Sequence, residues 1–132
     1  MLIRTEPHRV QRSMARALGL AFAVLVVACS SAPQAIRTDS VRVFDDPAKP
    51  EKEWGYAPGV IEVARGTTVT FTNDGAVFHT ITSDDPKRTF DMGASPKEKV
   101  QIRFDVAGTW SYHCGVHPDM KGAVKVCDGE CR

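Results

Sequence analysis

Apolar residues in the C-terminal two-thirds of this chain recur at every second position, and no stretch keeps up the three-to-four spacing of a helix. Residues 41–44 form the first predicted strand. Residues 60–63 and 67–72 follow, with Ala64, Arg65 and Gly66 turning the chain between them. Residues 79–82 are short and β-branched. Residues 100–104 alternate again, Ala107 and Gly108 turn the chain into 109–114, and 123–126 closes the pattern. Gly, Pro, Asn and Asp cluster between these segments. The least regular stretch, residues 83–99, contains Pro86, Gly93 and Pro96 and is expected to hold a small helical turn. About seven to eight short strands at this spacing predict an all-β sandwich or barrel. Its core of Val, Ile, Phe and Trp is modest but adequate for a domain of about 95 residues.

The N-terminus breaks the alternation. Arg4, Arg9, Arg12 and Arg16 precede the apolar run 17–28, which is followed by Cys29, Ser30 and Ser31. A basic segment before a run of this length describes a secretory signal peptide, and the run falls short of the roughly 20 residues a membrane span needs. Val26-Val27-Ala28-Cys29 resembles the lipobox of bacterial lipoproteins, in which the cysteine thiol receives a diacylglycerol. The expected organisation is a leader at 1–28, a lipidated Cys29 and tether at 29–38, a folded domain at 39–126 and a tail at 127–132. The mature protein is then expected to be exported and lipid-anchored to the bacterial cell membrane, facing the periplasm or the exterior, with plain secretion as the alternative. Without the leader, the 17 basic and 16 acidic residues become 13 and 15, a net charge of −2. That balance, with no basic cluster, argues against nucleic-acid binding.

Export also sharpens the reading of the four cysteines. Cys127 and Cys131, flanking the turn-prone Asp128 and Gly129, are most simply a disulfide in an oxidising compartment. Cys114 stands apart in Tyr112-His113-Cys114-Gly115-Val116-His117-Pro118-Asp119-Met120. By the period of two, Trp110, Tyr112 and Cys114 share one strand face, and His113 points the other way as a surface histidine. His117 and Met120 lie on a tight loop that can fold back toward the Cys114 sulfur, with Pro118 stiffening it and Gly122 freeing the chain afterwards. His79, after the turn Asn73-Asp74-Gly75, is the candidate fourth donor.

A cysteine, two histidines and a methionine match a trigonal two-histidine, one-thiolate copper site with a weak axial thioether. Structural zinc sites seldom use thioether, and a cysteine hydrolase would leave Met120 unexplained. A copper oxidase or nitrite reductase needs several more histidines than the mature chain has, namely His79, His113 and His117. Copper storage or delivery stays open as an alternative, because reduced Cys127 and Cys131 could hold Cu(I).

Over about residues 41–126 the sequence resembles the cupredoxins, and among them the amicyanin-like group. The likeness rests on "GVIEVARGTTVTFTNDG", on the histidine six residues after Asn73, on "GTWSYHC", and on the compact Cys-x-x-His-x-x-Met loop. It implies a Greek-key β-sandwich holding one type 1 copper through His79, Cys114, His117 and Met120. It also implies a non-enzymatic electron carrier serving redox proteins, with no small-molecule substrate. Three positions depart from the family pattern. Thr80 stands where many relatives have Asn after the first histidine, Gly115 where they have Ser or Thr after the cysteine, and Phe78 where Pro is frequent. The side-chain link between the two ligand loops is therefore expected to be absent or rerouted, while backbone donation to the cysteine sulfur can survive.

Overall fold

The computed structural model describes residues 34–87 and 89–131; the leader and Cys29 lie outside the described residues. Ten strands are present among them: β1 (Ile36–Arg37), β2 (Ser40–Phe44), β3 (Gly55–Ala57), β4 (Val60–Ala64), β5 (Thr67–Asn73), β6 (His79–Ser83), β7 (Asp91–Ala94), β8 (Lys99–Phe104), β9 (Gly108–His113) and β10 (Lys121–Cys127). They form a two-layer Greek-key sandwich. One sheet runs β1-β4-β10-β9-β6-β7, the other β3-β2-β5-β8. Pairing is mixed. β2 lies parallel to β5, and β10 parallel to β4, while β9 is antiparallel to both β10 and β6.

The alternation read from sequence becomes the core. Val41, Val43, Val69, Phe71, Val100, Ile102 and Phe104 point inward from the smaller sheet, against Ile61, Val63, Ile81, Tyr112, Val124 and Val126 of the larger. Burying a side chain of this size contributes on the order of 1.5–3 kcal/mol, so the register of each such strand is set by which face it hides. Tyr112 is the centre of the packing, with Tyr56 and Phe71 meeting its ring edge-on at 4.9 and 5.5 Å. Trp110 is only half-buried; it packs beside Phe104 and Phe90 at the margin of the core.

All seven predicted strands are present, with ends within two residues of expectation. Three others carried no alternation to read. β1 and β7 are almost wholly exposed, and β3 has one buried residue. The helical turn expected within 83–99 is absent from the described residues there; Asp91–Ala94 instead pairs with His79–Thr82. The single short helical turn among the described residues is a 3₁₀ segment at Glu51–Glu53. Strand pairing reaches into the segment expected as a tether, since Ile36 and Arg37 pair with Ile61 and Glu62. Gly122 has a different reason from chain freedom: it lies in β10 opposite Tyr112, where a Cβ would fall 2.4 Å from the tyrosine ring.

Candidate metal centre

The topology gathers one end of several elements. β2 and β5 are parallel, so their C-terminal ends lie at the same edge of the sandwich. β6 begins with His79 just after the β5 turn, and β9 ends immediately before Cys114. Asn73 shapes the turn that delivers His79. Its buried amide donates to the carbonyls of Val77 (2.8 Å) and Ala94 (2.9 Å) and its Oδ1 accepts from Gly75 N–H (2.9 Å). No hydrogen-bonding capacity of that amide nitrogen is left over.

The loop from Cys114 to Met120 closes on itself. Cys114 N–H donates to Met120 O at 3.1 Å and Met120 N–H to His117 O at 3.0 Å. Cys114 and Met120 are fully buried, His79 likewise, and His117 is partly exposed. Three of the four sequence-predicted donors therefore come together, and the fourth, Met120, is buried at the end of the same self-closed loop. Cys114 Sγ lies 3.8 Å from His79 Nδ1 and 3.6 Å from His117 Nδ1, and the two Nδ1 atoms are 3.2 Å apart. The sulfur and the two ring nitrogens all fall within 4.8 Å of one another.

Three atoms with lone pairs converging at this spacing are a donor set. His79 Nε2 faces the Asp45 carboxylate at 3.1 Å; a carboxylate only accepts, so the ring proton sits on Nε2 and Nδ1 presents a bare lone pair. Burial disfavours the imidazolium of His79 and the neighbouring His117 adds to this; Asp45 opposes both, and the net effect lowers its pKa. A neutral histidine beside a free, buried cysteine fits a soft or borderline cation of the copper type, with the Met120 thioether available as a weak further donor. Asp45 itself is held below the ordinary carboxylate range. Burial alone would raise it, but Ala76 N–H, His79 and Val77 N–H outweigh that.

The two ligand loops are joined by a rerouted link. Thr80 N–H donates to Cys114 Sγ at 3.3 Å, and Gly115 N–H donates to Thr80 Oγ1 at 2.8 Å. Thr80 Oγ1 is 2.8 Å from Thr82 Oγ1, which donates to Asp91 Oδ1 at 2.8 Å. Since Asp91 can only accept, the hydroxyl protons run in one direction, from Thr80 to Thr82 to Asp91.

Trp54 forms a wall. Its ring meets that of His117 at 5.1 Å and His79 at 6.3 Å, and its Nε1–H donates to Asp46 O at 2.9 Å. Neither Asp45 nor Trp54 carries a sequence signal for the site, because both reach it from the β2–β3 connection, far from the ligand motif. His113 stands outside, with Nδ1 2.5 Å from Asp84 Oδ1. Cys127 and Cys131 are joined in a disulfide; Glu62 is near them, but a disulfide offers no thiolate to a metal. No helix among the described residues is long and apolar enough to cross a membrane.

Comparison with known proteins places this geometry. The chain is 29% identical over 83 residues to plastocyanin of Scenedesmus fuscus, covering 54% of this chain and 85% of that one. Its fold matches a purple cupredoxin from Nitrosopumilus maritimus with a TM-score of 0.59 at 28% identity, over 67% of this chain and 98% of the other. A reduced amicyanin variant superposes with a TM-score of 0.54 at 25% identity, covering 74% and 87%. The cupredoxin-like domain family matches residues 19–126, the greater part of the sequence, and to that family this chain belongs.

Proposed function

We propose that this protein is a one-electron carrier built on a single type 1 copper ion, held by His79, Cys114, His117 and the weaker Met120. The observation that carries the reading is the convergence of the Cys114 sulfur and the two histidine nitrogens within 4.8 Å at one end of a packed sandwich. Copper bound by two imidazoles and a thiolate supplies reversible Cu(II)/Cu(I) exchange. The chain's own task is to keep the donors in one arrangement for both states. Thr80 N–H on the sulfur, the self-closed loop and the fully bonded Asn73 turn do this.

His117, partly exposed, is the electron port in this reading. Val116 and Phe78, each one residue from a donor, are 53% and 47% exposed and give an apolar surface for brief docking with exported or membrane redox proteins. The reading includes a leader at 1–28 and a lipid anchor on Cys29. It assigns the chain no catalysis, since a copper enzyme needs further histidines and His113 is engaged with Asp84. Copper storage or delivery through Cys127 and Cys131 has less support, because those sulfurs are bonded to each other.

Visible and EPR spectra of the Cu(II)-loaded domain test the proposal. An intense blue thiolate-to-copper band with narrow copper hyperfine splitting is expected, and Cys114→Ser should abolish the band. A colourless, ordinary tetragonal Cu(II) spectrum in the unmutated domain would overturn it.

A further inference from the structure

Asp45 follows β2 directly, and its side chain is completely buried. Its Oδ2 accepts from Ala76 N–H at 2.8 Å and Val77 N–H at 3.2 Å and faces His79 Nε2 at 3.1 Å. Its Oδ1 has no hydrogen-bond partner. A buried carboxylate with one oxygen unpartnered is a destabilising choice for a core, and the surroundings are nevertheless shaped to admit it. Gly75 leaves the space: a Cβ there would fall 1.7 Å from Asp45 Oδ2. Two backbone N–H groups and one imidazole N–H all aim at the same oxygen, the pattern of an ionised acceptor.

We propose that Asp45 is a positioning residue of the metal centre: it fixes His79 as the Nε2–H tautomer with Nδ1 turned toward Cys114 and His117, and its charge makes the pocket prefer Cu(II) to Cu(I). The first half needs no metal. The second rests on the copper reading above. A carboxylate on the remote nitrogen of a liganding histidine fixes the ring and raises its basicity, and losing such a partner typically costs 10–100-fold in metal affinity. Here the carboxylate lies one imidazole ring from the donor cluster, its side chain buried away from the screening of bulk solvent. It therefore favours the ion of higher charge. No bond to Asp45 and no proton has to change when one electron arrives from an external donor.

Two measurements separate the halves. In the copper-free, unmutated protein, long-range ¹H–¹⁵N NMR of the His79 ring should show a proton on Nε2 and a bare Nδ1. A proton on Nδ1 would overturn the positioning role. In Asp45→Asn, whose amide oxygen can still accept from the same three N–H groups, the tautomer should persist while the charge is gone. Chelator competition should then show Cu(II) affinity falling about tenfold more than Cu(I) affinity, equivalent to a rise of about 59 mV in reduction potential by voltammetry. Gly75→Ala, which expels the carboxylate without altering it, should raise the potential in the same direction. An unchanged potential in folded Asp45→Asn would overturn the charge role. Should the unmutated protein bind no copper while His79 still shows the Nε2–H tautomer, the electron-carrier reading fails and the positioning by Asp45 stands.

Discussion

The backbone N–H of Gly115 donates to the hydroxyl of Thr80 at 2.8 Å, and so ties the loop that carries the cysteine to the strand that carries the first histidine. In that role Gly115 needs only its main chain, and Thr80 supplies the acceptor. Thr80→Val should remove the tie while keeping the β-branched shape and the Thr80 N–H bond to sulfur. A loss of about 1 kcal/mol in copper-free stability is expected from urea unfolding, with faster copper release to a chelator. Thr80→Ser should recover both.

Asn73 is the larger structural hinge of the site. Asn73→Ala leaves the carbonyls of Val77 and Ala94 and the Gly75 N–H without their partner. Unmade buried hydrogen bonds cost about 1–3 kcal/mol each, so denaturant unfolding should register a loss of about 3 kcal/mol after partial relaxation. The same variant should bind copper more weakly because the turn delivering His79 loosens. Full stability would remove Asn73 from this account.

Copper binding should be visible in tryptophan fluorescence. Trp54 packs against both histidines, whereas Trp110 sits beside Phe90 and Phe104. Cu(II) should quench Trp54 strongly and stoichiometrically, and Trp54→Phe should remove most of the quenching. Equal quenching with and without Trp54 would mean that copper binds elsewhere.

Acid should destabilise the copper-free protein in two stages. His79 has a folded-state pKa below its ordinary 6.5, chiefly from burial. Unfolded chains then bind its proton first, so its share of stability is intact above about pH 6.5 and is lost as pH falls toward the folded value. Asp45 is held below its ordinary 3.8, so its share is intact above that value and lost as pH falls through the folded one. Urea midpoints should be level above about pH 7 and decline below it, and His79→Gln should flatten the first decline. A midpoint rising between pH 6.5 and 5 would contradict the sign.

Electron exchange should depend on Val116. Val116→Glu adds charge to an exposed position beside His117 without touching a donor. Electron self-exchange by NMR should slow about tenfold while the blue band persists. An unchanged rate would mean that the electron leaves by another route.

The donors were legible because each belongs to a scarce residue type at a telling interval. His79 follows a recognisable turn, and Cys114, His117 and Met120 share one short loop. The seven alternating strands were legible because each hides one face, as Val41 and Val43 do in β2. β7 was not, since Asp91 to Gly93 are all exposed and are held extended by their ladder to β6. Asp45 and Trp54 were illegible for another reason. Their part in the site comes from parallel β2–β5 pairing, which brings together residues 34 positions apart in the case of Asp45 and His79. No local pattern encodes that. The Thr80–Gly115 link was foreseen only as absent or rerouted, without its form, because a main-chain donor leaves no mark in a sequence.

β10, the last strand among the described residues, is an inner strand of its sheet, flanked by β4 on one side and β9 on the other. The larger sheet therefore cannot be completed until the segment carrying Val124 and Val126 is in place. Up to that moment β4 and β9 each lack a neighbour, and the core face they share stays open. Non-local pairings of this kind make for slow folding. They also mean that the loop from Cys114 to Met120, which immediately precedes β10, takes its final form only once β10 is paired. Removing residues 121–127 should therefore abolish the domain rather than trim it, because β4 and β9 would both lose the strand that joins them.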